Sequence, residues 1–428
     1  MKKHFTSLMG LAKTKTAKDT AILFFANILS AFLGFLFTVV IARGLSIEDF
    51  GIFSAANNLI VMLISFSDLG LSTGLVYYVS KHLAKEEKEK AFEYAKAVLI
   101  LKVIIFVFLS TIVAVFSKYI SNNLIASSDE ALSYYIALII LFAIGWTFAP
   151  FYLQAKKEFF KSSLIEIVIG LVKLIFPVIF LFVGILTIRT TLLSFGISLI
   201  VAGIFGFILT GIDFLKSKPK KETHLELLKY SGWIGLNRII SSISGKLDIQ
   251  MLAVISGATI TGIYSIPSRL SSFIIVISSS FSSVLAPRFS SFSDKESKKK
   301  YLLKSLFVSL AISVGIIFWI IIAKPFVVIL FGQKYAESVP VFKGLIAAYI
   351  PFVLAVPSVT AIIYAMKKTI YIGVFSLFQL AAIYLINQRY IPQIGSFAPV
   401  IAYGFVYSIL AIYSWIVVIK HYWFTDKE

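Results

Sequence analysis

Arg269 stands seven residues into a stretch that opens at Gly262 and stays otherwise apolar to about residue 286. A guanidinium in such a run can hold an anion, and at helical spacing it shares a stripe with Ser265, Ser272, Ser279 and Ser283. A second apolar run repeats the pattern with Ser54, Asn58, Ser65, Asp68 and Ser72. A third, residues 230–252, sets Asn237, Arg238, Ser241, Ser242, Ser244 and Asp248 opposite an apolar arc, with Lys246 at the edge. Asn27, Ser30, Gly34 and Thr38 make a weaker stripe near the N-terminus. Polar residues in apolar helices usually face a bundle interior or a wet cavity. Basic residues prevail over Asp68, Asp248 and Glu166 in and near these runs, which points to an anionic ligand.

The elements that position these residues are membrane spans. The chain has 428 residues, 59% apolar and 14% charged, and no soluble core of that length hides so much apolar surface. Twelve spans are expected, at about 20–42, 51–79, 94–116, 133–154, 164–184, 191–215, 229–256, 259–286, 302–323, 339–365, 370–388 and 398–419. Alternate connections carry 27 and 6 Lys and Arg residues, which places both termini in the cytoplasm. The same bias accounts for the formal charge of +19 without nucleic acid. The span at 20–42 is too long for a signal-peptide core and reads as a first transmembrane helix. A cell-membrane, multi-pass protein follows.

An internal repeat organises the spans. Gly51-Ile52-Phe53-Ser54 matches Gly262-Ile263-Tyr264-Ser265 at an offset of 211, which sets Asn58 on Arg269, Asp68 on Ser279 and Ser72 on Ser283. After a one-residue slip, the basic loops at 85–90 and 295–300 also correspond. Both copies run in one direction, so the repeat is parallel. The expected fold is all-α, twelve transmembrane helices in two parallel six-helix lobes. It comprises a basic N-terminus 1–19, a lobe 20–215, a linker 216–228, a lobe 229–419 and a tail 420–428.

Plainer uses exist for most of these residues. Arg238 could snorkel to the cytoplasmic interface, and Lys246 with Asp248 could form a structural pair. Lys102, Lys173 and Lys343 read as structural, with Lys173 in reach of Glu166 at i, i+7. Serine-rich faces are often close-packing faces. Asp68 could reach Arg269 from the other lobe.

Catalytic chemistry has little to work with. There are no cysteines, and the four histidines fall outside the spans without clustering, so neither a metal nor a cofactor is expected. GxxxxGK[ST], HExxH and GxSxG are absent. An intramembrane glycosyltransferase would need a substantial acidic loop for a metal–diphosphate, and the loops here are dominated by lysine. No catalytic residue is assigned.

Residues 41–81 resemble the N-terminal signature of polysaccharide (O-antigen-type) flippases of the multidrug/oligosaccharidyl-lipid/polysaccharide exporter superfamily. The resemblance rests on Arg43-Gly44-Leu45, Glu48-Asp49-Phe50-Gly51 and Asp68-Leu69-Gly70-Leu71, with residues 246–270 adding the second-half pattern. It implies a MATE/MOP-like fold of two lobes around a cationic cavity and translocation of polyprenyl-diphosphate-linked oligosaccharide by alternating access. Arg269 and Arg238, with Lys246, would then hold the diphosphate. Asn27, Asn58, Asn237, Ser241, Ser265 and Ser272 would wet the sugar's path, and Asp68 and Asp248 would couple an ion or latch the lobes. Lipid-linked oligosaccharide and membrane lipid are the implied partners, alongside polymerase or glycosyltransferase machinery, for a chain expected to be monomeric. A cation-coupled multidrug exporter of the same superfamily, or a lipid II-type flippase, is the alternative. Lipid II flippases carry arginines in the first two spans, where this chain has Asn27 and Asn58.

Overall fold

A computed structural model describes residues 15–292 and 294–424; most of the segment 1–19, the end of the tail 420–428 and the side chain of Asn237 lie outside the described residues. The main helices are α1 (Lys15–Gly44), α2 (Ile47–Asp68), α3 (Leu71–Ala84), α4 (Lys88–Val115), α5 (Ala131–Ala155), α6 (Phe159–Val183) and α7 (Ile188–Thr210). They continue as α8 (Lys221–Ser244), α9 (Leu247–Ser291), α10 (Lys295–Phe331), α11 (Ser338–Thr360), α12 (Ile370–Ile394) and α13 (Ala398–Ile419). Among the described residues, ten helical stretches are long and apolar enough to cross a membrane. Side chains such as Phe25, Phe182, Ile208 and Phe307 stand exposed along them, as lipid-facing surface requires.

The chain divides into two compact units, Met1–Ile243 and Ser244–Glu428. The dividing point lies beyond the polar connection 216–228, because that connection is not loop throughout. From Lys221 onward it is helix, with Thr223 and Leu227 buried. Ser217 holds its start by donating to the Phe92 carbonyl (3.0 Å), and Lys220 N donates to Glu93 Oε1 (2.9 Å).

Within the first unit, α1 packs on α6, α5 on α7, and α4 on both α3 and α5. Small residues permit the closest of these approaches. A Cβ on Gly145 of α5 would stand 2.7 Å from Gly203 Cα of α7, and one on Gly206 would stand 2.6 Å from Ala149 Cβ. Within the second unit, α11 packs against α9, α10 and α13. There Ser358 and Ser414 share a hydrogen bond of 2.7 Å, and Ser282 and Thr360 one of 2.9 Å.

The elements break where the backbone demands it. Ser46 caps α2 by accepting from Asp49 N (3.0 Å), and Glu48 and Asp49 favour the positive end of that helix. The run expected as one span over 51–79 is in fact two helices: Leu69 (φ 42°) and Gly70 (φ 76°) are both left-handed and end α2 at Asp68. A glycine takes that conformation without the Cβ penalty, and its leucine neighbour is carried with it. Gly257 (φ 80°) likewise interrupts α9 and separates residues 247–256 from the long helix that carries Arg269.

Candidate functional site

The break after α2 builds a buried charge cluster in the first unit. Asp68, the last residue of α2, accepts at Oδ1 from the Ser72 amide (3.2 Å), the Ser72 hydroxyl and Lys102 Nζ (2.6 Å). Its Oδ2 accepts from Arg238 Nη1. Lys102 Nζ also donates to Ser72 Oγ (3.1 Å), and Arg238 Nη2 donates to Thr73 Oγ1 (2.9 Å). One carboxylate thus serves two cations and caps the first turn of α3. Lys102 is fully buried at the middle of α4, whereas the Arg238 side chain is 39% exposed. Lysine supplies the sealed charge, and arginine supplies the one that faces open space. Charge-assisted bonds of this kind are the strong ones in a membrane protein, because the alternative is a bare charge in hydrocarbon.

Close backbone contact brings α8 to this cluster. Gly70, which precedes α3, and Gly74 on α3 meet Ser231 and Gly235 on α8, each pair four residues apart. A Cβ on Gly70 would lie 2.7 Å from the Ser231 carbonyl oxygen, one on Gly74 2.7 Å from Ser231 Oγ, and one on Gly235 2.5 Å from the Leu69 carbonyl oxygen. This is the small-xxx-small crossing that lets two membrane helices approach without side chains between them. Gly235→Ala is therefore expected to destabilise the protein by about 1–3 kcal/mol and to lift Arg238 off Asp68. Thermal unfolding of the purified variant checks the first, and loss of protection of Arg238 from guanidine-directed reagents checks the second.

A cavity of about 610 Å³ opens beside the cluster, lined by Ser65, Asp68, Trp146, Glu166, Arg238 and Ser241 among others. Two stripes read from the sequence, that of α2 and that of α8, therefore meet here, and both Asp68 oxygens are taken by residues of the first unit. Glu166 accepts from Trp146 Nε1 (3.1 Å), and Lys173 lies over the Phe195 ring, 3.7 Å from its centroid.

The second unit holds the other candidates. Asp248 is buried in the first turn of α9, where its Oδ1 accepts from Ile249 N (2.8 Å) and its Oδ2 from the Tyr264 hydroxyl (2.5 Å). The ring of Tyr403 stacks on that of Tyr407 at 5.5 Å. A tyrosine hydroxyl and a backbone amide, not a lysine alone, hold Asp248. Lys246 precedes α9 near enough to interact electrostatically with both Asp248 and Arg269. Arg269 is half-buried.

The remaining candidates diverge. Ser265 is fully buried and its hydroxyl donates to the Thr261 carbonyl (2.7 Å), so it lines no open space. Ser272 is exposed and donates to the Arg269 carbonyl (2.6 Å). Asn58 is buried at 2% exposure, Asn27 is exposed, and the side chain of Asn237 lies outside the described residues. Ser279 and Ser283 are exposed on an unbroken helix, unlike their repeat partners Asp68 and Ser72 at the α2–α3 break.

Lys102, read from the sequence as structural, is buried at the heart of the charge cluster as a partner of Asp68. Its depth is legible in the sequence: it sits centrally in α4, too far from either end to reach an interface. The glycine spacing of residues 70 and 74 is a second signal, since two small residues four apart permit a close helix crossing.

An all-helical, multi-pass membrane protein with charges paired at the depth of its spans is the class defined here. Its fold is similar to that of a multidrug resistance MATE family transporter of the MOP superfamily in an inward-facing conformation, with a TM-score of 0.74 at 15% identity over 93% of this chain and 96% of that one. It is also similar to the lipid II flippase MurJ in an inward closed conformation, at 0.73 and 16% over 94% and 87%. An uncharacterized membrane protein of Methanocaldococcus jannaschii is 27% identical over 71% of this chain and 74% of its own length. One in the cps region of Klebsiella pneumoniae is 26% identical over 78% and 68%. The model of the polysaccharide biosynthesis protein family matches residues 16–293, and the chain belongs to that family.

Proposed function

We propose that this protein is a flippase that carries polyprenyl-diphosphate-linked oligosaccharide across the cytoplasmic membrane by alternating access, without catalysing a reaction on it. The observation that carries the reading is Arg238: a guanidinium held at the edge of a cavity by Asp68 and Thr73, with further donors left for a ligand. Membership of a polysaccharide biosynthesis family supports a polysaccharide precursor as cargo, and a diphosphate is the part of such a cargo that a guanidinium recognises. Arg269 and Lys246, in the second unit, are the further cations of this reading.

The reading includes a topology of twelve crossings with both termini cytoplasmic. Ten stretches qualify on length and composition. The stretch Ile370–Phe424 contains two helices, α12 and α13, and the reading takes α8, which length and composition alone would not select, as one more crossing. Its polarity fits a helix that lines a wet path.

The test is translocation of a labelled polyprenyl-diphosphate disaccharide in proteoliposomes, with Arg269→Ala beside the wild type. A fall in rate supports the reading, and an unchanged rate removes Arg269 from it. Exchanging the repeat partners, Asn58→Arg with Arg269→Asn, is expected not to restore transport. Position 58 is sealed, position 269 is not, and an arginine at 58 would be a buried charge with nowhere to reach.

A further inference from the structure

Glu166 is the acidic group that the diphosphate reading leaves unused. It lies on α6 within an apolar span, with a single hydrogen bond among the described residues, from Trp146 Nε1 at 3.1 Å. Asp68 is offset by two cations; no ion pair among the described residues includes Glu166. An intramembrane carboxylate so placed is costly, and its usual justification is a ligand. Both Glu166 and Trp146 line the cavity that Arg238 borders, together with Ser65, Ser241 and Ser242. At about 610 Å³ the space is of ligand size, since small-molecule sites span about 300–1,000 Å³ and are mostly apolar with a few placed polar groups.

We propose that this cavity is a sugar subsite in which Glu166 and Trp146 recognise a neutral or amino-bearing pyranose and disfavour an acidic one. The proposal rests on the flippase reading for why a sugar reaches the cavity. A carboxylate accepts from sugar hydroxyls or an amine, and repels a uronic acid. The indole offers apolar surface to the C–H face of the ring and, through its N–H, fixes the carboxylate's orientation. Serine hydroxyls on α2 and α8 complete a set of short, neutral hydrogen-bonding groups suited to a polyol. Arg238 at the same cavity then lies where a diphosphate next to the first sugar can reach it.

The experiment uses the full chain in lipid nanodiscs, with saturation-transfer NMR on cellobiose, N,N′-diacetylchitobiose and a glucuronic-acid-containing disaccharide. The wild type is expected to bind the neutral probes about tenfold more tightly than the acidic one. Glu166→Ala and Trp146→Phe should each weaken the neutral probes by about tenfold. Glu166→Gln, which keeps an acceptor of the same shape, should hold the neutral probes within about threefold and lose the discrimination against the acidic probe. Neutral binding that ignores Glu166→Ala and Trp146→Phe, equal binding of acidic and neutral probes by the wild type, or no binding of any probe overturns the subsite. Glu166-dependent sugar binding in a protein that moves no lipid-linked sugar would leave the subsite standing and remove the flippase reading. Translocation indifferent to Glu166 would do the reverse.

Discussion

Alanine in place of Lys102 is expected to lower the stability of the folded protein by about 3–5 kcal/mol, the cost typical of removing one partner of a buried ion pair. Lys102 is fully buried and Asp68 nearly so, and their 2.6 Å contact is the charge balance of the α2–α3 break. Without the ammonium, Asp68 keeps Arg238, whose side chain is partly exposed and which reaches only one of the two oxygens. Ser72 would lose a donor at its hydroxyl as well. The paired change Asp68→Asn with Lys102→Met removes both buried charges and is expected to recover most of the loss, because what destabilises is the orphan and not the missing bond. Denaturation of the purified variants in detergent compares the two losses directly. Equal losses in Lys102→Ala and in the pair would show that packing around the lysine stem, not charge, is at stake.

Arg238→Ala is expected to act on transport far more than on folding. Translocation of the diphosphate-linked sugar should fall by about tenfold or more, the range for losing a hydrogen bond to a charged group. The unfolding temperature should move little, since Lys102 still balances Asp68 and the lost side chain is 39% exposed. Arg238→Lys separates charge from geometry. A lysine restores the positive charge but cannot reach Asp68 Oδ2 and Thr73 Oγ1 together with a ligand, so most of the transport defect should persist. Transport at the wild-type rate in both variants would make Arg238 a structural counter-ion of Asp68 alone.

Much of this was legible in the residues because membranes simplify the problem. Apolar length marks a crossing whatever the packing, and α4, α6 and α10 lie where their runs of Leu, Ile, Val and Phe place them. The stripe of α8 was equally plain, and Arg238, Ser241 and Asp68 do share a cavity. Less legible was which polar residues face it. Helical spacing puts Ser265 and Arg269 on one stripe, yet a serine can bury its hydroxyl against the carbonyl four residues back, and Ser265 does so. The α2–α3 break was hidden for a related reason. Asp68-Leu69-Gly70 lies inside an unbroken apolar run, and only left-handed dihedrals at two successive residues turn it into two helices. Partners of Asp68 were out of reach because they sit 34 and 170 residues away in sequence, on helices whose contact depends on four small residues.

The most direct measurement compares two lipids in proteoliposomes containing the wild-type protein. They share one polyprenyl tail and one disaccharide, and differ in that one carries the diphosphate and the other a neutral linkage. The diphosphate-linked lipid should cross at least about tenfold faster, because only it offers the guanidinium of Arg238 an anionic group. Equal rates for the two lipids, or no movement of the diphosphate-linked one, would contradict the account.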